Sequence, residues 1–455
     1  MLFGTALSLA GAGSIAARHL TIGSPEGGWS YPYTDSSGGG ALGVLALSCL
    51  LVGAGVAASW GLLKRFAAGS EHAVPVPIQW TLILAWCLLA IPVQGLLRST
   101  TPHSLGAIVA SDTANSFYSV AVKTNARTLL SGFERRRHTW PLHAHSNLPG
   151  KLLLVRALTR VSTQPEVVAW LIIGLSNAGA LLLYVFLRDS SGDRFLAGLG
   201  AILYLFTPAT LYFVPLLNTV TPVVMLICAC LMIRWLNTAR VIYAVVLGVA
   251  VYGLALFEPT ALIAGLLFSV LLIHRVASGR LPVRTALLHI GAALLSFVAT
   301  YVVMIGWFGF DLFRAFAAVA RDAARFNADS GRPYAVWVWQ NLFDIAFGVG
   351  WCQTVLFAAA LADGVVRWPS RWRLTDAPLI VLICVSVLAM VGVADAIGVN
   401  RGEVTRLWIF MACLAQIPAA YVCRRLGSAF AFGLVIVATL VQTALAAAMI
   451  AFVAP

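Results

Sequence analysis

The stretch APLIVLICVSVLAMVGVADAI, residues 377–397, holds a single charged residue, Asp395. A helix of about 20 apolar residues is long enough to cross a hydrocarbon core of about 30 Å. Similar runs recur along the chain. They give thirteen candidate spans, at 2–17, 39–62, 77–97, 167–187, 195–212, 219–236, 241–257, 259–275, 286–308, 342–365, 377–397, 405–421 and 427–452. The first is short and Gly-rich. The seventh and eighth meet at Glu258-Pro259 and could form one broken unit. The expectation is an all-α, polytopic integral membrane protein with about 11–13 transmembrane helices.

Composition supports this reading. Apolar residues make up 60% of the 455 and charged residues 10%, where a soluble domain carries about 25% charge. A chain so poor in charge cannot cover a water-facing surface. The net charge of +13 comes from 30 Lys and Arg, of which only Lys64, Lys123 and Lys151 are Lys. These cations lie between apolar runs, which points to lipid headgroups and phosphate-bearing ligands rather than nucleic acid. The eight cysteines lie in or at the ends of apolar runs, so no disulfide framework is expected.

Lys64-Arg65, Arg188 with Arg194, Arg234 with Arg240, Arg275/Arg280/Arg284, Arg367/Arg371/Arg373 and Arg424-Arg425 alternate with short loops lacking Lys and Arg, at 213–218 and around 258. The positive-inside rule places the basic set in the cytoplasm and the long loops 98–166 and 309–341 outside. Each long loop is expected to hold an interfacial amphipathic helix. In 113–133 the apolar stripe is Tyr118, Val122, Ala126, Leu129 and Phe133; in 312–328 it is Leu312, Phe316, Val319, Ala323 and Phe326, opposite Arg314, Arg321 and Arg325. The only low-complexity tract is Ser36-Ser37-Gly38-Gly39-Gly40.

The first long loop is dense in cations from Arg135 to Lys151. His143, His145 and Lys151, near the Pro149-Gly150 turn, suit a phosphate ligand, whereas Arg135 to Arg137 could equally anchor the loop to anionic lipid. His143 and His145 form only an HxH pair with no Cys or carboxylate at ligand spacing, so no metal is expected. Asp112, where the loop leaves the membrane, is a candidate general base, or an N-cap for a helix from Thr113. Glu134 sits beside Arg135 to Arg137 and is expected to pair with them. A second constellation, Arg401-Gly402-Glu403-Val404-Thr405-Arg406, lies at the outer mouth of a late span, with Glu403 and Arg406 on one helix face. Asp395 and Glu258 are further ionisable residues within the bundle.

At these residues the chain resembles the GT-C superfamily of membrane glycosyltransferases, including the cell-envelope transferases of actinobacteria. Asp112 stands where that family has an acidic residue early in its first external loop. The stretch from His145 to Gly150 is similar to its His-Pro-Pro-Gly-like run, and Gly402-Glu403-Val404-Thr405-Arg406 to its Gly-Glu-x-x-Arg run. There is no DxD motif, and Asp112 stands alone where relatives carry an acidic pair. The resemblance implies a core over 77–422, with 1–76 as additional N-terminal spans and 423–455 as a final span. It also implies a polyprenyl-phosphate sugar donor, a glycan or glycolipid acceptor, an external site at the cell membrane, inverting displacement and no cofactor. In that scheme Asp112 is the base, and His143, His145, Lys151, Arg401, Glu403 and Arg406 hold the donor. A lipid-linked sugar flippase and a non-catalytic lipid-binding assembly subunit are the alternatives.

Overall fold

A computed structural model describes residues 1–34, 39–66, 74–368 and 373–453. Arg371 and the Ser36 to Gly38 part of the Ser/Gly tract lie outside these. Among the described residues ten helices are long and apolar enough to cross a membrane: Gly40–Lys64, Val76–Arg98, Pro165–Ser191, Arg194–Phe213, Leu217–Thr238, Pro259–Ala277, Val283–Phe308, Leu379–Ile397, Ile409–Leu426 and Ala429–Met449. The only strands among the described residues are a two-residue pair, Gly23–Ser24 with Trp29–Ser30. The protein is an all-helical, multi-pass membrane protein.

Three expected spans differ. Residues 342–365 are not one straight helix: Tyr334–Val349 and Trp351–Val366 meet at 98°, as a broken span or a re-entrant loop does. Gly350 makes the break with a φ of 102°, a conformation that side chains rarely adopt. The helices Leu2–Ala16 and Val241–Phe257 are apolar but shorter than the rest. Leu2–Ala16 packs on Ala429–Met449 and Trp351–Val366, so the two ends of the chain share one apolar core that runs from Ile15 to Val453.

Polar residues inside the bundle pair across helices, as a medium without water requires. Gln94 and Asn177 exchange two hydrogen bonds, at 2.8 and 3.1 Å. The Tyr184 hydroxyl donates to Gln79 at 2.6 Å. All eight cysteines are free thiols.

The basic loops cluster as the sequence suggested. Asp189 takes Arg188 and Arg234, each at 2.7 Å, and Asp193 takes Arg424 at 2.6 Å. At the opposite end, loops 98–166, 309–341 and 398–406 interlock. Arg332 donates to the Arg401 carbonyl at 2.7 Å, and Arg401 returns a bond to the Arg332 carbonyl at 2.9 Å.

The expected single helix over 113–133 is instead three short ones, Phe117–Lys123, Ala126–Ser131 and Phe133–Arg136. Asn125 causes the first break by accepting the Thr128 amide at 2.9 Å as an N-cap. The second amphipathic helix is continuous from Leu312 to Asp329. It buries Leu312 and Val319 but leaves Phe316 and Phe326 half exposed. Arg314 on its basic face reaches Glu134 at 2.9 Å. Glu134 therefore pairs with this helix and not with Arg135 to Arg137, because Arg137 is drawn inward to Asp322 at 2.5 Å.

Candidate functional site

The three interlocked loops enclose a cavity of about 430 Å³. The helix Leu312–Asp329 roofs it with Asp322 and Arg325; the short helix Leu142–His145 brings His143 and His145; the 398–406 loop brings Arg401, Glu403 and Arg406. Five of the seven expected site residues thus line one space.

Glu403 is held with a φ of 58°, unusual for a residue with a side chain. Its carboxylate takes the Arg406 guanidinium and lies 3.6 Å from Arg332. Burial alone would raise this carboxyl, but Arg406 and Arg332 outweigh it and hold it below the usual range. Asp322 behaves alike: burial pulls upward, and Arg137 and His145, the latter 3.1 Å away, pull it below its ordinary value. His143 goes the other way. Burial, then Arg406 and Lys151, push its imidazole down to about 4 against the opposing pull of Glu403, so it is neutral at neutral pH.

Lys151 lies behind the main cavity. Gly150 explains its place: a Cβ there would sit 2.5 Å from the Leu256 carbonyl. Glycine lets the start of helix Gly150–Leu158 rest on the backbone of residues 256–257, which sets Lys151 beside Glu258 at 2.6 Å. The Lys151 ammonium also donates to Asn147 at 3.0 Å.

Asp112 does not line the cavity. It is exposed, and its carboxylate accepts the Ser119 hydroxyl rather than capping a helix. The amides of Thr113 and Ala114 go to Ser111 instead, at 3.1 and 3.0 Å. Asp112 nonetheless belongs to the loop against the His143 wall, since the His143 amide donates to Ser116 at 3.2 Å. Among the described residues at this end Asp112 and Asp329 have no cation partner, and neither have Glu26, Glu166 and Asp311; Glu166 accepts the Gly106 amide at 2.7 Å and Asp311 the Arg314 amide at 3.0 Å. Asp395 is separate, accepting Asn341 at 2.9 Å inside the bundle.

Sequence reasoning missed Asp322, Arg332 and the hairpin at 23–30. Arg332 is buried between the rings of Trp29 and Phe326, at 5.3 and 5.0 Å. The hairpin is pinned below by Trp337 donating to the Gly27 carbonyl at 3.0 Å and by the Gly23 amide on Asp344 at 3.2 Å. The run from Gly27 to Tyr31, Gly-Gly-Trp-Ser-Tyr, carries the turn and aromatic residues of a hairpin, and that signal could have found it.

A second space of about 400 Å³ adjoins the first and shares Ser146, Asn147, Glu258, Ala323, Val399 and Asn400 with it. Its remaining wall is mostly apolar, including Phe316, Val319, Val393 and Ile397. It runs between the roof helix and the span Leu379–Ile397. Comparison of the chain with protein families, with curated proteins and with solved structures finds no match.

Proposed function

We propose that this protein is a membrane glycosyltransferase that takes a sugar from a polyprenyl-phosphate donor and passes it to a glycan or glycolipid hydroxyl outside the cell membrane. The observation that carries this reading is the adjoining pair of spaces, one polar, with four arginines beside Glu258, Asp322, Asp329 and Glu403, and one mostly apolar. A ligand with an anionic head and a hydrocarbon tail matches both at once. Arg325, Arg332, Arg401 and Arg406 face the first space, and guanidinium groups suit phosphate oxygens. In the reaction the acceptor oxygen attacks the anomeric carbon with inversion. The bond from that carbon to the phosphate oxygen breaks, its electron pair leaves on the phosphate, and the acceptor proton passes to a carboxylate. Fixed cations beside the departing phosphate stabilise the charge that develops there.

The cation-free carboxylates set the choice of base. Glu403, Asp322 and Glu258 are each ion-paired, and a paired carboxylate is a poor proton acceptor. Of the carboxylates that no cation pairs, Asp329 lines the cavity and Asp112 stands in the loop beside it, and Asp112, where the resemblance has its early acidic residue, is the proposed base. That it stands outside the lining favours a second reading, a lipid-binding assembly subunit without turnover. Mass spectrometry of lipid-linked sugars and envelope glycans in cells with and without the gene separates the readings. Transfer predicts a missing glycan with accumulated donor. Donor held on the cytoplasmic face would mean a flippase, and unchanged donor with unchanged glycan would remove the transferase.

Reporters fused within 98–166 or 309–341 are expected to read external, and one within 276–284 cytoplasmic. The reverse pattern would turn the cavity to the cytoplasm and defeat the donor argument. Arg406→Ala is expected to weaken donor binding about ten- to hundredfold, the worth of a charge-assisted contact of about 1.5–3 kcal/mol. Arg367→Ala should leave it unchanged, because Arg367 pairs with Asp363 at the other end. Equal losses in a donor-binding assay would show that neither is specific.

A further inference from the structure

Behind His143 and Asn147 a smaller chamber of about 30 Å³ lies against the main cavity, and the two share His143, Asn147, Arg406 and Leu407. Its polar lining is completed by Asn115, Lys151 and Asn218. One water needs about 10–15 Å³ of such space. The chamber therefore admits one or two groups of water size and no sugar ring.

The lining has unused hydrogen-bonding capacity. Asn115 is 1% exposed, and its Oδ1 has no partner. Its Nδ2 makes one long bond, 3.4 Å, to the Val109 carbonyl. The Nε of Arg406 is also buried without a partner. Buried polar atoms in folded proteins are rarely left so. The charge balance decides what kind of group fits. Lys151 is neutralised by Glu258 and Arg406 by Glu403, and His143 is neutral. With three amides and a neutral imidazole, the chamber favours an uncharged group that both donates and accepts over a carboxylate or phosphate.

We infer that this chamber is a specificity subsite that takes one ring hydroxyl of the transferred sugar, with Asn115 as the residue that reads it. The inference rests on the glycosyl-donor reading above. It makes sugar choice a property of the chamber and phosphate affinity a property of the arginine-lined cavity. A site built to bond a hydroxyl discriminates strongly against a substrate that leaves its buried groups unpaired.

The test uses the full chain in nanodiscs of neutral lipid. Equilibrium binding is measured for bare decaprenyl phosphate and for the same lipid phosphate carrying mannose, glucose, galactose or arabinose. The wild type is expected to bind the bare lipid phosphate and to prefer one sugar over its epimer. Asn115→Ala should narrow that preference by about tenfold, the worth of one buried hydrogen bond, with the bare lipid phosphate bound as in wild type. If Asn115→Ala loses bare-lipid binding through misfolding, the half-buried Asn218, as Asn218→Ala, must show the same narrowing. Epimers bound equally by wild type, or a preference unaltered in the folded variants, would overturn the subsite and leave the donor reading standing. Failure of wild type to bind bare decaprenyl phosphate would overturn both.

Discussion

Lys151→Met is expected to destabilise the protein by about 3–5 kcal/mol, the usual cost of leaving one buried charge without its partner. Lys151 is 1% exposed and Glu258 6%, and their 2.6 Å contact has little water to replace it. The methionine side chain fills a similar volume, so the loss would report the stranded Glu258 carboxylate rather than a cavity. Lys151→Met combined with Glu258→Gln should recover most of the stability, because a buried pair replaced on both sides is often nearly neutral. Thermal unfolding of the detergent-solubilised chain measures both variants. A single variant as stable as wild type, or a double variant no better than the single, would show that the pair does not hold this end of the bundle. The same measurement bears on the site. Glu258 lines both the arginine-lined cavity and the apolar groove, so if the pair is structural, donor binding should fall with stability and return in the double variant.

The spans were legible because their signal is one-dimensional. Leu379–Ile397 is apolar at nearly every position, and no tertiary contact is needed to see why it leaves water. The break at Gly350 was not legible, since both flanking helices are apolar and a lone glycine in such a run is tolerated in membrane helices. The site was half legible for a related reason. Arg401, Glu403 and Arg406 stand out as charges at the mouth of a span. Asp322 does not, because in sequence it belongs to the polar face of an amphipathic helix, where a solvated carboxylate is the ordinary expectation. Its role comes from Arg137 and His145, 185 and 177 positions away. The same holds for Glu134, whose neighbours in sequence are three arginines and whose partner in space is a fourth, Arg314. Arg332 needed a hairpin from the other end of the chain. Ion pairs of this kind are set by how loops interlock, and local charge patterns carry no information about that.

Asp112→Asn is expected to lower turnover by at least about a hundredfold, within the usual contribution of a general base, while donor binding stays near wild type. Asparagine keeps an oxygen for the Ser119 hydroxyl, so the loop should hold its shape and the loss would report the missing proton acceptor. Glu134→Gln is the matched control. It removes the same charge from the same loop, but Glu134 is engaged by Arg314 at 2.9 Å, and activity should stay within a few-fold of wild type. The two side chains are thus separated by what holds them: Asp112 is exposed and meets only a hydroxyl, whereas a guanidinium occupies Glu134. The loop carrying Asp112 also supplies Ala114 and Asn115 to the inner chamber, so a sugar with one hydroxyl in that chamber would lie beside this loop. Asp329 is the rival, since it lines the main cavity and no cation pairs it among the described residues. Turnover of a polyprenyl-phosphate sugar by the reconstituted variants decides between them. Full activity in Asp112→Asn with loss in Asp329→Asn would move the base to the roof helix, and full activity in both would place the proton acceptor elsewhere, with Glu403 and Glu258 the next candidates.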